Sequence, residues 1–289
     1  MLILGARMNQ AVVHLGGRFV PPSEAKVDLL DRGWLLGDGV FATMRGYDGV
    51  CFRPEAHLEA LARGAEALGI ALPATPSAII AVADEAARRT GANDAYVRVT
   101  LTRGSFAILA RPMDVPDARA YEDGIETMVV KPRRIPPECV DPTFKTTSYA
   151  PQIVAWREIE ARGIREGIQL ALDGSIACGT TSNVFVVEGD RLRTPPISTG
   201  CRPGITRAVV MAIAAERGME VREERIELAA LETADEAFFT STRVECLPFR
   251  WPGARSAKAG FPVTARLRAA FRERVLAETA LRSVPPVSR

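Results

Sequence analysis

Histidine is scarce in this chain, which has only His14 and His57 among its 289 residues. Imidazole is the usual group of proton relays and a common zinc ligand, so its scarcity disfavours a histidine-based relay and a histidine metal centre. The five cysteines are an odd number and form no CxxC pair, which argues against a disulfide framework and against a zinc site. Unpaired cysteines suit a reducing compartment. We therefore expect a cytoplasmic protein with no metal in its site.

Long apolar runs and an excess of charge of one sign are also lacking. No run approaches the roughly 20 residues that a membrane helix needs, and 37 basic against 35 acidic residues leave a formal net charge of +2. Such a chain has no electrostatic reason to bind nucleic acid or an acidic membrane.

The apolar patterns predict an α/β protein of two domains. Proline-rich residues 113–119 predict a linker between a smaller N-terminal α/β domain, 1–112, and a larger C-terminal domain, 120–289. Turn dipeptides and alternation predict two hairpins in the first domain, and 3.6-residue periodicity predicts helices in both. The expected hairpins cover 12–20 and 39–52. Helices are expected over 55–68 (N-terminal domain), 77–89 with Ser77 as N-cap, 149–163, 205–216 and 263–276. Further strands are expected over 95–104, 125–131, 168–173, 182–187 and 236–242.

Lys145 stands in DPTFKTTSYAP, flanked by Phe144 and small hydroxylated residues and by no other charge nearby except Asp141. One interpretation is an ordinary surface lysine. The other is an amine in a partly desolvated pocket, where the neutral nucleophile is favoured and a Schiff base can form. The immediate context leaves both open.

Two short segments have the composition of a phosphate site. In RPGITR, Gly204 precedes a predicted helix, and the free N–H groups of a helix start bind phosphate well, with the Thr206 hydroxyl as a further donor. In FTSTR, Ser241 and Thr242 follow a predicted strand. An ordinary helix start and an ordinary loop are the alternatives.

The order of these motifs resembles that of the class IV aminotransferases, the fold type IV enzymes that use pyridoxal 5'-phosphate (PLP). That family includes branched-chain aminotransferases, D-amino-acid aminotransferases and aminodeoxychorismate lyases. The segments that carry the resemblance are LDRGWLLGDGVFATMRGYDG, PEAHLEALARGAEALGI, the segment around Lys145, LDGSIACGTTSNVF, TPPISTGCRPGITR and ADEAFFTSTRVECLPF.

The resemblance implies a two-domain fold like that of D-amino-acid aminotransferase, a homodimer and a role for each matching residue. Lys145 would hold PLP through a Schiff base and move the α-proton of an amino or keto acid substrate. The other implied roles are contact with the cofactor phosphate (Ile205, Thr206, Ser241 and Thr242), with the cofactor's phenolic oxygen (Tyr149) and with the substrate (Arg45, Tyr96 and Arg98).

Two residues depart from the family pattern. Cys178 is at a cofactor-binding position where the family normally has a glutamate that pairs with the ring nitrogen. Ala60 is where the family has an arginine that binds the phosphate. Arg63 lies one helical turn further on and is the candidate to compensate for that missing arginine. A neutral thiol holds a ring proton less well than a carboxylate does. Three hypotheses follow: a PLP-dependent aminotransferase for an amino acid or amine, a PLP-dependent lyase or eliminase, and a divergent relative that has lost PLP.

Overall fold

The computed structural model describes residues 10–253 and 260–283 and divides them into two units. Unit 1 comprises residues 10–114, 143–149 and 274–283, and unit 2 comprises 115–142, 150–253 and 260–273. The first boundary, between Asp114 and Val115, lies within the predicted linker. Lys145, which the sequence prediction assigned to residues 120–289, belongs to unit 1 because its segment pairs with a strand of that unit.

Unit 1 is built on one six-stranded antiparallel sheet of order β2-β1-β6-β5-β3-β4. Its elements are β1 (Val12–Leu15), β2 (Arg18–Val20), α1 (Arg32–Leu36), β3 (Gly39–Tyr47), β4 (Val50–Cys51), α2 (Pro54–Ala67), α3 (Pro76–Arg89), β5 (Asp94–Thr102) and β6 (Phe106–Pro112). Both predicted hairpins are confirmed, and Gly16, Gly17 and Gly49 take the positive φ that their turns require. The predicted cap of α3 is wrong: Thr75, not Ser77, accepts the N–H of Ala78.

The two faces of the unit 1 sheet have different roles. Alternate residues such as Val40, Met44 and Val97 enter the hydrophobic core together with residues of α2 and α3. Because side chains alternate along a strand, Phe41, Arg45 and their neighbours on β5 lie on the opposite face. The polar residues predicted for the substrate are on that face.

Unit 2 contains a second six-stranded sheet, of order β12-β11-β10-β13-β14-β7, and the two-stranded sheet β8-β9. Its elements are α4 (Ala118–Glu122), β7 (Ile125–Glu126), α5 (Ala150–Glu160), β8 (Ile168–Leu170), β9 (Ile176–Gly179), β10 (Asn183–Glu188), β11 (Arg191–Thr194), α6 (Ile205–Glu216), β12 (Glu220–Glu223), α7 (Ala230–Thr233), β13 (Glu236–Ser241) and β14 (Glu245–Arg250). The last helix, α8 (Pro262–Ser283), contributes residues 262–273 to unit 2 and the remainder to unit 1.

Four predicted elements outside the first sheet have wrong ends. The helix predicted over 149–163 ends at Glu160, and the strand predicted over 168–173 ends at Leu170. The strand predicted over 125–131 is limited to β7, and beyond it only Val129 forms a bridge among the described residues, with Ile168. The last helix is longer than predicted. It begins at Pro262, where the Glu236 carboxylate accepts the N–H groups of Val263 and Thr264 and so caps it. Over the described part of the chain, no helix is both long enough and apolar enough to cross a membrane.

Candidate functional site

Lys145 is fixed by backbone pairing with the start of β3. The N–H of Phe41 donates to the Lys145 carbonyl at 3.0 Å, and the N–H of Thr147 donates to the Gly39 carbonyl at 2.8 Å. The Thr147 hydroxyl also donates to the Gly37 carbonyl at 2.8 Å. The lysine backbone is therefore held by a sheet, which places the side chain more reproducibly than a loop would.

Phe41 brings three predicted site residues of unit 1 together. Nζ of Lys145 lies 5.4 Å from the centre of the Phe41 ring, the Arg98 guanidinium carbon lies 3.7 Å from it, and the Tyr149 ring packs edge-on at 5.3 Å. Nε of Arg98 donates to the Thr100 hydroxyl at 3.0 Å. We call Phe41, Lys145, Tyr149 and Arg98 the Phe41 cluster. It combines an amine, a phenol and a guanidinium around one aromatic ring.

Arg45 and Tyr96 lie next to each other on the same face, directly opposite in the β3–β5 register. Arg45 is 1% exposed, and its guanidinium forms an ion pair with Asp94 at 2.6 Å and stacks on Tyr47. Tyr96 is half-buried, with the Arg111 guanidinium 4.7 Å from the centre of its ring. Arg45 is thus committed to Asp94, whereas Arg98 in the Phe41 cluster makes no ion pair within the described residues.

His57 is a neighbour of Lys145 that the sequence analysis did not connect with it. Burial of the imidazole, and after it the positive charge of Lys145, lowers the pKa of His57 to about 3. The imidazole is therefore neutral at pH 7. No local pattern could have found it, because His57 comes from α2 and Lys145 from a segment far along the chain.

Arg63 is the residue of α2 that the sequence analysis named as a candidate to compensate for Ala60. Arg63 is half-exposed, and its guanidinium pairs with Glu59 one helical turn back, at 2.6 Å. The pair stabilises the helix surface. Arg63 is engaged there and not by the Phe41 cluster.

In unit 2 the start of α6 has the features of an anion site. Gly204 is the N-cap and no side chain of the described residues caps the helix, so the N–H groups of the first turn, at Ile205 and Thr206, have no side-chain acceptor there. Asn183 donates from Nδ2 to the Arg202 carbonyl at 2.8 Å, and a Cβ at Gly204 would collide with its Oδ1. A side chain at position 204 would therefore displace the Asn183 amide from its present place.

Asn183 also connects the helix start to the end of β13. It lies opposite Thr240 in the β10–β13 pairing, and Ser241 and Thr242 follow directly. The hydroxyls of Ser182 and Thr240 are buried and have no hydrogen-bond partner among the described residues. We call Asn183, Gly204, Thr206 and Thr240 the α6 cup; the Ser182 hydroxyl lies next to Gly179 instead.

The α6 cup fits a phosphate group. An uncapped helix start supplies N–H donors and a positive dipole end, and buried hydroxyls without partners are rare unless a ligand or water satisfies them. The sequence analysis named Thr206, Ser241 and Thr242 but missed Ser182 and Thr240. For Thr240 the available signal was its place directly before Ser241 in FTST, and for Ser182 its place in the GTTSN run that follows Cys178.

Cys178 lies on β9, opposite Gln169 of β8, and is 4% exposed. Burial raises the pKa of its thiol to about 11, against the opposing effect of Arg134, so the thiol is neutral at pH 7. Its sulfur is 4.0 Å from the Gln169 side-chain oxygen. A ligand next to Cys178 would therefore meet a neutral thiol and the neutral Gln169 amide, and neither residue supplies a carboxylate.

The segment after Cys178 is held by a buried carboxylate. Glu166 is 3% exposed and accepts hydrogen bonds from the hydroxyls of Thr180 and Thr181 and from the N–H of Thr181. A Cβ at Gly179 would collide with the Ser182 hydroxyl. The small residues of this segment thus allow a tight turn that Glu166 fixes.

Comparison with known proteins places these features in one family. The model of the family "Amino-transferase class IV" matches residues 39–250. A Methanocaldococcus jannaschii protein assigned as a branched-chain-amino-acid aminotransferase is 36% identical, over 82% of this chain and 86% of the relative. The Bacillus subtilis aminodeoxychorismate lyase is 32% identical, over 82% and 85%. The crystal structure of the Escherichia coli branched-chain amino acid aminotransferase superposes with a TM-score of 0.85 at 28% identity, over 93% of this chain and 95% of that one.

These similarities confirm the predicted α/β fold of type IV and the expectation of an enzyme. Class IV aminotransferases use PLP, so the predicted cofactor is confirmed for the family. One solved branched-chain amino acid aminotransferase contains pyridoxamine 5'-phosphate, and its TM-score is 0.84 at 26% identity, over 91% of this chain and 93% of that one. The match over most of the chain, with relatives above 30% identity, shows that this protein belongs to the class IV aminotransferases.

Proposed function

We propose that this protein is an aminotransferase that moves an amino group between an amino acid and an oxo acid, with Lys145 as its catalytic base. The observation that carries the proposal is the Phe41 cluster. There a backbone-fixed amine lies against the same ring as a guanidinium that has no carboxylate partner among the described residues. Relatives named branched-chain aminotransferases make leucine, isoleucine and valine the first substrates to test.

PLP, when bound, supplies an aldehyde for the substrate amine and a ring that withdraws electrons. Lys145 would hold the aldehyde and move the α-proton at Nζ. Arg98 would bind the substrate carboxylate, for which a planar guanidinium is well shaped. Tyr96 would line the substrate side, Tyr149 would contact the phenolic oxygen, and Arg45 would orient this face through Asp94.

The phosphate would bind at the start of α6. Ile205 and Thr206 would donate their N–H groups, and Ser241 and Thr242 would donate from the end of β13, next to a buried hydroxyl of the α6 cup. Donors at a helix start suit a dianion. They would replace part of what the family arginine at the position of Ala60 provides.

An absorbance titration with PLP tests this proposal. We expect a long-wavelength band that borohydride abolishes, that is lost in Lys145→Ala and that is unchanged in Lys131→Ala, an exposed lysine of unit 2. Addition of L-leucine should convert the band to that of the aminated cofactor and release 4-methyl-2-oxopentanoate. No band in folded wild-type protein at saturating PLP would favour the third hypothesis, a relative that has lost PLP.

A lyase is the second candidate, and Cys178 favours it. A neutral thiol in place of a carboxylate leaves the ring nitrogen without a charged partner at this position, which weakens the electron withdrawal that transamination needs. If Cys178 is compatible with transamination but suboptimal, Cys178→Glu should raise the half-transamination rate with leucine, whereas Cys178→Ser should not. Release of ammonia or pyruvate by wild type, abolished in Cys178→Glu without a gain in transamination, would establish the lyase instead.

We also propose a homodimer in the cytoplasm. The segment that includes α1 exposes a cluster of apolar side chains, comprising Val27, Leu29, Leu30, Trp34, Leu35 and Leu36, which is more than isolated surface residues provide. Sedimentation should show a dimer that Leu30→Asp with Trp34→Asp dissociates and that Leu172→Asp, at an exposed leucine elsewhere, does not. The cytoplasmic assignment rests on the five free cysteines, and fractionation of cells tests it.

A further inference from the structure

Unit 1 contains a cavity of about 530 Å³ apart from the Phe41 cluster. Leu15, Ile79, Val82 and Phe106 form much of its apolar wall, contributed by the end of β1, by α3 and by the β5–β6 turn. This volume is within the range of small-molecule sites, roughly 300–1,000 Å³. The cavity is large enough for a molecule of amino-acid size.

The cavity is on the helix-covered side of the unit 1 sheet. His14, which lines it, lies opposite Ile108 in the β1–β6 register, and Ile108 belongs to the core beneath α2 and α3. The Phe41 cluster lies on the other face. The sheet therefore separates the cavity from Lys145, and a ligand in one place does not occupy the other.

Two charged side chains of the cavity lining have no ionic partner in the described part of the chain. Lys26 and Asp28, two residues apart, both line the cavity, and neither makes an ion pair with the other or with any described residue. One oxygen of Asp28 accepts the N–H of Leu30 at 2.8 Å. The cavity thus presents one cation and one anion beside an apolar interior.

His14 adds one polar group to the wall. The residue is 8% exposed, its ring packs edge-on against Phe19 and Phe106, and its Nδ1 has no hydrogen-bond partner among the described residues. A buried nitrogen without a partner is unfavourable. His14 thus contributes a polar side chain to this wall, besides its aromatic contacts with Phe19 and Phe106.

We propose that this cavity binds a hydrophobic α-amino acid. The ligand's carboxylate would meet Lys26, its ammonium would meet Asp28, and its side chain would fill the apolar interior. A carboxylic acid without the amine would leave Asp28 unmatched, and an amine without the carboxylate would leave Lys26 unmatched. The inference does not depend on the proposed function, because Lys145 and PLP have no part in it.

Isothermal titration calorimetry of the holoenzyme tests the inference. The titrants are L-leucine and L-phenylalanine, with 4-methylvalerate as the acid without the amine and 3-methylbutylamine as the amine without the acid. Borohydride reduction of the Lys145 Schiff base before titration prevents a titrant amine from replacing Lys145 at the cofactor. The variant Arg98→Ala, titrated in parallel, removes the carboxylate partner at the Phe41 cluster whether or not PLP is bound. Lys26→Glu, Asp28→Lys and the double exchange test the two charges, and Glu24→Lys is the control, since Glu24 is exposed in the same segment but does not line the cavity.

We expect one saturable site per chain that survives both borohydride and Arg98→Ala. Each single charge reversal should weaken it at least 10-fold, the double exchange should restore part of the loss, and Glu24→Lys should leave it unchanged. The acid and the amine should each bind at least 10-fold more weakly than leucine. No saturable binding of either amino acid, equal binding in the charge variants, or equal binding of the acid would each overturn the inference. The PLP band is measured separately, so its absence would refute the proposed function without affecting this result.

Discussion

The substitution His57→Gln should remove an acid sensitivity that burial creates in unit 1. In the unfolded chain His57 titrates near its ordinary pKa of 6.5, whereas in the folded chain burial, and secondly Lys145, lowers the pKa to about 3. Between these values the unfolded state binds a proton that the folded state does not. Stability therefore falls as the pH falls through the window from 6.5 towards 3.

The size of the effect follows from the same values. A pH of 5 lies about 1.5 units below the pKa of 6.5 that His57 has in the unfolded chain. Protonation of the unfolded chain at this pH therefore lowers the free energy of unfolding by about 2 kcal/mol. Since His57 retains some accessible surface, this is an upper value. Urea denaturation at pH 7 and pH 5 measures it: wild type should lose up to about 2 kcal/mol more than His57→Gln. An equal loss in both proteins would refute the reasoning.

Three further predictions concern the fold, the phosphate donors and the thiols. Arg282→Ala removes hydrogen bonds to the buried Asp84 carboxylate and to a backbone carbonyl of β4, and should cost about 2 kcal/mol in the free energy of unfolding; a loss below about 0.5 kcal/mol, as for an exposed pair, would contradict it. In Gly204→Ala the new Cβ would collide with Oδ1 of Asn183, so the Asn183 side chain should leave the Arg202 carbonyl and the Kd for PLP should rise about 10-fold, the effect of losing about 1.4 kcal/mol; unchanged affinity in folded protein would remove the α6 cup from the proposed site. Iodoacetamide at pH 8 should label the exposed Cys139 first and leave Cys178 unlabelled in native protein, because burial raises the pKa of Cys178 to about 11; early labelling of Cys178 by mass spectrometry would show that the site is open.

Local sequence patterns determined much of the architecture. Gly16-Gly17 and Asp48-Gly49 predicted hairpins correctly because turn residues act over two positions. Helical periodicity located α2 and α6 to within one residue at each end. The order of motifs identified the family, and with it the cofactor, because those motifs were compared as whole segments. The ends that failed at β7 and α8 depend on contacts between elements. β7 stops where its pairing with β14 stops, and α8 runs on to Ser283, where Arg282 donates hydrogen bonds to the Asp84 carboxylate and the Cys51 carbonyl.

The sequence by itself thus determined the family, the hairpins, the helices and the types of residue available for chemistry. Only the tertiary structure decided which of those residues are engaged. Arg45 and Arg98 look equivalent in sequence, yet strand register places Asp94 against the first and leaves the second at Phe41. Packing between distant segments also brings the positive charge of Lys145 close enough to lower the pKa of His57. The same packing buries the hydroxyls of Ser182 and Thr240, which have no hydrogen-bond partner in the described chain. Turn chemistry and periodicity are local, whereas charge pairing, burial and hydrogen-bond satisfaction depend on the segments that folding brings together.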